Sequence, residues 1–146
     1  MNKIINVAVI FIEVSVVALL FILETMSGQK AGVNHHVLAR KIQWNEKYFT
    51  PENIKILTFG LIAIILFAIF IQIVSGKKKQ IVKQGKILWT HNVAAILAVS
   101  IAVLSLKNRF FMSLNTSGYI TFASIAIFIF EIFLIIYLVV IENKYK

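Results

Sequence analysis

Four long apolar runs take up most of the chain, at about residues 4–23, 54–75, 87–106 and 119–141. A helix needs about 20 apolar residues to cross the ~30 Å hydrocarbon core of a bilayer, and each run meets that length. In hydrocarbon the backbone N–H and C=O groups must be satisfied within the segment, so such runs predict helices. The expected fold class is all-α: a four-helix transmembrane bundle forming one integral membrane domain over residues 1–146, with an amphipathic interfacial segment after the first helix.

Composition points the same way. Of 146 residues, 60% are hydrophobic and only 14% charged, too little polar surface to cover a water-soluble domain. Fifteen basic residues against six acidic ones give a net charge of +9. The basic residues sit in short loops between the apolar runs. There they set orientation and meet anionic lipid headgroups, so membrane lipid rather than nucleic acid is the expected partner.

The chain contains no cysteine, which removes disulfides, thiolate metal sites and cysteine nucleophiles. Aspartate is missing as well. No nucleophile elbow, metalloprotease helix or phosphate-binding glycine loop occurs, and no catalytic residue is assigned. Lysine and isoleucine usage fits an A+T-rich coding genome, hence a prokaryotic cell membrane. Met1-Asn2-Lys3 ahead of an apolar stretch resembles a secretory signal. The run over 4–23 is longer than a signal core and no small-x-small site follows, so it is expected as a retained first helix.

Helix boundaries can be placed from local chemistry. Glu24, Ser27 and Gly28 are expected to close the first helix. Thr50 is a good N-cap for the second, with Pro51 at its first position and Glu52 complementing the dipole. Gly76 and the following lysines close that helix. The third is the least apolar, with Thr90, His91, Asn92, Ser100 and Ser105. The fourth runs to Ile141. Residues 24–50 form the outer loop. Within it Val33, Val37, Leu38 and Ile42 recur at helical spacing, with Asn34 as a possible cap and Trp44, Tyr48 and Phe49 following. The two readings are an amphipathic helix at the outer headgroup level and a loop folded over the bundle mouth.

The basic loop over 76–86 carries Lys77, Lys78, Lys79, Lys83 and Lys86 and no acid. Short dense loops weigh most in orientation, so this loop and both termini are expected in the cytoplasm, with these lysines against lipid headgroups.

The candidate functional residues are polar groups that the runs carry into the membrane. Asn6, Glu13 and Glu24 are spaced by 7 and 11 residues, which returns them to nearly one helix face. Ser124, Glu131 and Glu142 repeat the spacing in the last helix. An ionisable group at bilayer depth is costly and should face the bundle interior, a cavity or another subunit. No Lys or Arg lies at the depth of Glu13 and Glu131. Each can be protonated and hydrogen-bonded, share a proton with the other if their helices pack, or meet a cation from a partner. Thr58 and Gln72 are expected to make polar contacts in the bundle.

His35, His36 and Glu24 form a possible metal set, since imidazole suits Zn, Cu and Ni. Neighbours on a helix point about 100° apart, however, which makes adjacent histidines a poor chelate. His91 is the one histidine placed for axial haem ligation, against a reading in which it bonds to neighbouring helices. Asn115-Thr116-Ser117 matches the N-glycosylation pattern. No cofactor is predicted beyond bound lipid. The leading expectation is a non-catalytic small subunit of a larger membrane protein complex, partnered by other integral membrane subunits. The alternatives are a proton- or ion-coupled transporter or channel using Glu13 and Glu131, and a metal- or haem-binding membrane protein.

Overall fold

The computed structural model describes residues 3–76 and 85–140. It is all-helical over those residues: α1 Lys3–Gln29, α2 Ala31–Lys47, α3 Pro51–Gly76, α4 Gly85–Lys107, α5 Arg109–Ser113 and α6 Ser117–Val140. Three segments are long and apolar enough to cross a membrane: Asn6–Gln29, Leu88–Lys107 and Ser117–Leu138. Ala31–Lys47 with Pro51–Phe67 makes a fourth if that pair, bent by 84°, is taken as one span. By itself α3 has 26 residues, about 39 Å at 1.5 Å per residue.

The centre of the molecule is the antiparallel pair α4 and α6. On α4 the buried residues Ala95, Ala98 and Ala102 recur at helical spacing, and such small side chains let two helix backbones approach. On α6 the buried face is Ser117, Thr121, Ser124, Phe128, Glu131, Ile135 and Leu138, alternating steps of four and three along one stripe. Leu61 of α3 joins Val99, Phe128 and Ile135 in the core. Outward-facing residues are large and apolar, among them Phe11, Phe21, Phe59, Phe67 and Phe133, as expected of a chain whose solvent is lipid.

Several boundaries differ from those the sequence predicts. Glu24, Ser27 and Gly28 do not end α1, which continues to Gln29. Both polar side chains find partners on the α5–α6 connection, so the helix has no need to stop there. The N-cap of α2 is Lys30, which makes no side-chain cap bond, and the helix begins at Ala31, ahead of Asn34. The start of α3 is as expected, with Thr50 Oγ1 accepting from Asn53 N at 3.3 Å. The short helix α5 was not anticipated. Asn108 caps it by accepting from Phe110 N at 2.8 Å, the ordinary role of asparagine at that position.

The two readings of residues 24–50 merge: the segment is helical, and one face of it docks onto the bundle. That face carries Asn34, Val37, Lys41 and Trp44, with Val33 and Leu38 half-buried beside it, while Ile42 points outward. Trp44 packs edge-on against Tyr119 and Phe122, at 4.6 and 4.9 Å between ring centres. Its ring lies directly over Gly118, where an added Cβ would stand 2.7 Å from Cε3 and 3.3 Å from Cζ3. No glycine among the described residues has positive φ, so Gly118 serves close approach rather than backbone freedom. Gly118→Ala should therefore push the indole off α6, an overpacking cost of about 1–3 kcal/mol. In a Trp89→Phe background the emission of Trp44 should shift and α2 amides should exchange faster. Unchanged emission would contradict this packing.

Candidate functional site

Glu131 lies on the stripe by which α6 faces α4, about 14 residues beyond the start of α6, and His91 about 16 before the end of α4. Because the helices run antiparallel, these counts place both side chains ~21–24 Å from the turn that joins α4 to α6. His91 Nδ1 and Glu131 Oε2 are 2.7 Å apart, and each side chain is 1% exposed. The half-buried carboxyl of Glu13 on α1 lies near enough to that of Glu131 to interact with it. Side chains from three helices therefore meet here: Glu13, Glu131 and His91.

The proton count of this set follows from charge. A carboxyl–carboxyl hydrogen bond between the two acids would need a proton on one of them. With neutral imidazole and both acids ionised, the set would carry two negative charges in a region where each is expensive. Two added protons make it neutral, either as two carboxylic acids beside imidazole or as one acid, one carboxylate and imidazolium. Its outer atoms are open: His91 Nε2, Glu13 Oε1 and Asn6 Oδ1 are buried without a hydrogen-bond partner. Buried polar atoms of this kind are normally satisfied by protein or ordered water.

Among the described residues no Lys or Arg pairs with the two acids, as the sequence leads one to expect, but His91 supplies Glu131 with a hydrogen-bond partner inside the chain that the sequence reading missed. Ser124 is buried on the same α6 face as Glu131, and Asn6 is half-buried on the α1 face that carries Glu13. Closer to the turn, Ser105 Oγ and Thr121 Oγ1 are 2.7 Å apart across the same α4–α6 interface. Thr58 is buried in α3 with its Oγ1 unpartnered. The side chain of Gln72 lies outside the described residues, as do Glu142, Lys77, Lys78, Lys79 and Lys83 and the side chain of Lys86.

The third member of the acidic stripe has a different role. Glu24 Oε2 accepts from Thr116 N at 2.8 Å and from Thr116 Oγ1 at 2.6 Å, and its Oε1 accepts from Asn115 N at 3.2 Å. A carboxylate from α1 thereby caps α6, where free N–H groups and the dipole favour negative charge. Asn115 Nδ2 donates to Ser27 Oγ and Asn34 Oδ1, so the amide of the glycosylation pattern is engaged inside the protein. Lys41 Nζ donates to the carbonyls of Met112 and Leu114 at 2.7 and 2.8 Å. Burial holds this ammonium below the ordinary lysine range, while the carboxylate of Glu24 works in the opposite direction.

With Glu24 committed to α6, the metal set His35, His36 and Glu24 is not assembled. Both histidines are exposed on α2, their rings 6.3 Å apart and inclined at 66°. Among the described residues no group of three or more His, Cys, Asp or Glu is placed to hold a metal ion. His91, the histidine that the sequence places for haem ligation, has its Nδ1 against Glu131 and its Nε2 buried without a partner. No family model, curated protein or solved structure matches the chain.

Proposed function

We propose that this chain is a small four-span membrane transporter or channel that binds and passes protons at Glu13, Glu131 and His91. The observation that carries this reading is the 2.7 Å contact of His91 with Glu131, both almost fully buried, with the Glu13 carboxyl close by. Ionisable residues at membrane depth mark proton relays and ion pathways. An acid–acid–imidazole set can accept or release a proton with little movement of heavy atoms, because its members already lie together. The basic loop between α3 and α4 would lie in the cytoplasm, placing the set nearer that side.

The test is proton movement in proteoliposomes carrying a trapped pH-sensitive dye under an imposed potential. The unsubstituted chain should dissipate the gradient faster than empty vesicles, and Glu131→Gln should lower the rate at least tenfold. Infrared difference spectra across a pH titration should show a carboxylic-acid band that Glu131→Gln removes. Equal rates for the two proteins, together with a band indifferent to the substitution, would overturn the reading.

A second reading, a subunit packed against other membrane proteins, is favoured by α1. Only 6% of its apolar window is buried, which leaves a long face for a partner helix. Co-purification in mild detergent separates the two readings: a stoichiometric partner chain supports the second, and a lone chain that moves protons supports the first.

A further inference from the structure

A cavity of about 180 Å³ lies at the end of the bundle where α4 joins α6, away from the buried acid–histidine set. Its walls come from the α2–α3 corner on one side and from α4, α5 and α6 on the other. Phe49 and Leu106 give it apolar surface, and Lys41, Asn45, Ser105 and Thr121 give it polar groups. A cavity of ~150 Å³ is enough to hold benzene, so this one takes a small organic molecule with a six-carbon body and a short polar end.

The polar end is specified by Lys41. An ammonium has three donors, and two of them are spent on the carbonyls of Met112 and Leu114. The third is left for the cavity that Lys41 lines. Glu24 forms no hydrogen bond or ion pair with it: its oxygens are turned to Asn115 and Thr116 and act on the ammonium only at longer range. The two backbone contacts fix the ammonium in place, so an arriving anion need not order a free lysine side chain. One cation with one remaining donor, its charge already partly offset by Glu24, takes at most a single negative charge. A phosphate dianion would leave charge uncompensated in a half-apolar pocket. The hydroxyls of Ser105 and Thr121 and the amide of Asn45 supply further neutral partners.

We propose that this cavity binds a small monocarboxylate, with its carboxylate at Lys41 and its apolar body against Phe49 and Leu106. As a substrate site it rests on the proton-coupled reading above: a monocarboxylate and one proton cross a membrane together without net charge. Cavity and acid set lie along the same face of α6, on opposite sides of the buried Phe128.

The binding test uses cyclohexanecarboxylate and Trp44, whose ring stands over Gly118 in the cavity wall. In a Trp89→Phe background in detergent, the probe should change Trp44 emission saturably, and cyclohexylmethanol should bind at least tenfold more weakly. Lys41→Gln should weaken the carboxylate at least tenfold and leave the alcohol unaffected. Asn45→Phe, a substitution at an exposed position, should fill the cavity and abolish both signals. No saturable signal, equal affinity for acid and alcohol, or unchanged binding by Lys41→Gln would overturn the proposal. Glu131→Gln should bind the probe normally. Failure of binding with proton flux intact removes this site alone, and loss of the flux reading with binding intact leaves the site standing.

Discussion

Glu131→Leu alone should destabilise the protein by about 3–5 kcal/mol, whereas Glu131→Leu combined with His91→Leu should recover most of that loss. The asymmetry follows from what each variant leaves behind. The single substitution strands His91 Nδ1 in a site that is 1% exposed, so the full desolvation cost of the imidazole appears with nothing to offset it. The double substitution removes both polar groups and fills the space with apolar atoms of similar volume, and buried pairs exchanged in this way are often neutral or stabilising. Glu13 complicates the cycle, since it too loses a neighbour. It is only half-buried, and a protonated carboxyl there can turn toward the N-terminal end of α1. Adding Glu13→Leu should then bring the triple variant to at least the stability of the double. Equilibrium unfolding in one fixed detergent measures all four proteins. A double variant no more stable than the single would mean that His91 and Glu131 are not an energetic pair. The same proteins separate stability from function: recovered stability with no recovery of proton movement is the pattern expected of a set kept for its chemistry.

How much of this could be read from the sequence depended on whether the signal was local. Thr50, Pro51 and Glu52 announce the start of α3 because capping is settled within one turn. The inward face of α1 was legible from Asn6, Glu13 and Glu24, since a polar stripe on an apolar rod has a single direction to go. What the sequence withheld was pairing between helices. His91 seemed to sit near one end of its helix and Glu131 near the middle of its own. Only counting back from the turn of an antiparallel pair brings them level, and the short helix α5 in that turn had gone unnoticed. Glu24 was misjudged for a related reason. It reads as a helix terminator or a metal ligand when judged by its neighbours in sequence, and its actual partners lie some ninety residues away. The apolar spacing of α2 marks only part of its docking face, with Val37 buried and Val33 and Leu38 half-buried. The side chains that dock are Asn34, Lys41 and Trp44 as well as Val37, and polar docking leaves no apolar periodicity to detect.

Glu24→Ala should release the outer layer of the molecule while leaving the buried acid–histidine set in place. Glu24 is the residue through which α1 holds the first turn of α6, with three bonds between 2.6 and 3.2 Å. Bonds to a charged group are worth about 1.5–3 kcal/mol each when buried. Glu24 is only half-buried and water can replace part of what is lost, so the net effect should be about 2–3 kcal/mol. The loss should spread, because Asn115 also links Ser27 of α1 to Asn34 of α2, and Leu114 is one of the two carbonyls that hold Lys41. Freed of Glu24, the 114–116 segment lets go of α2 as well. Hydrogen exchange should therefore accelerate at Asn115 and Thr116 and along α2, with little change in α4 around His91. Glu24→Gln should fall between the two proteins. Its amide oxygen still accepts one set of bonds, but its NH2 group faces a backbone N–H and meets donor with donor. Unaltered exchange at Asn115 and Thr116 in the alanine variant would show that water caps α6 as well as Glu24 does, and the bridge from α1 through the α5–α6 connection to α2 would then carry no energy.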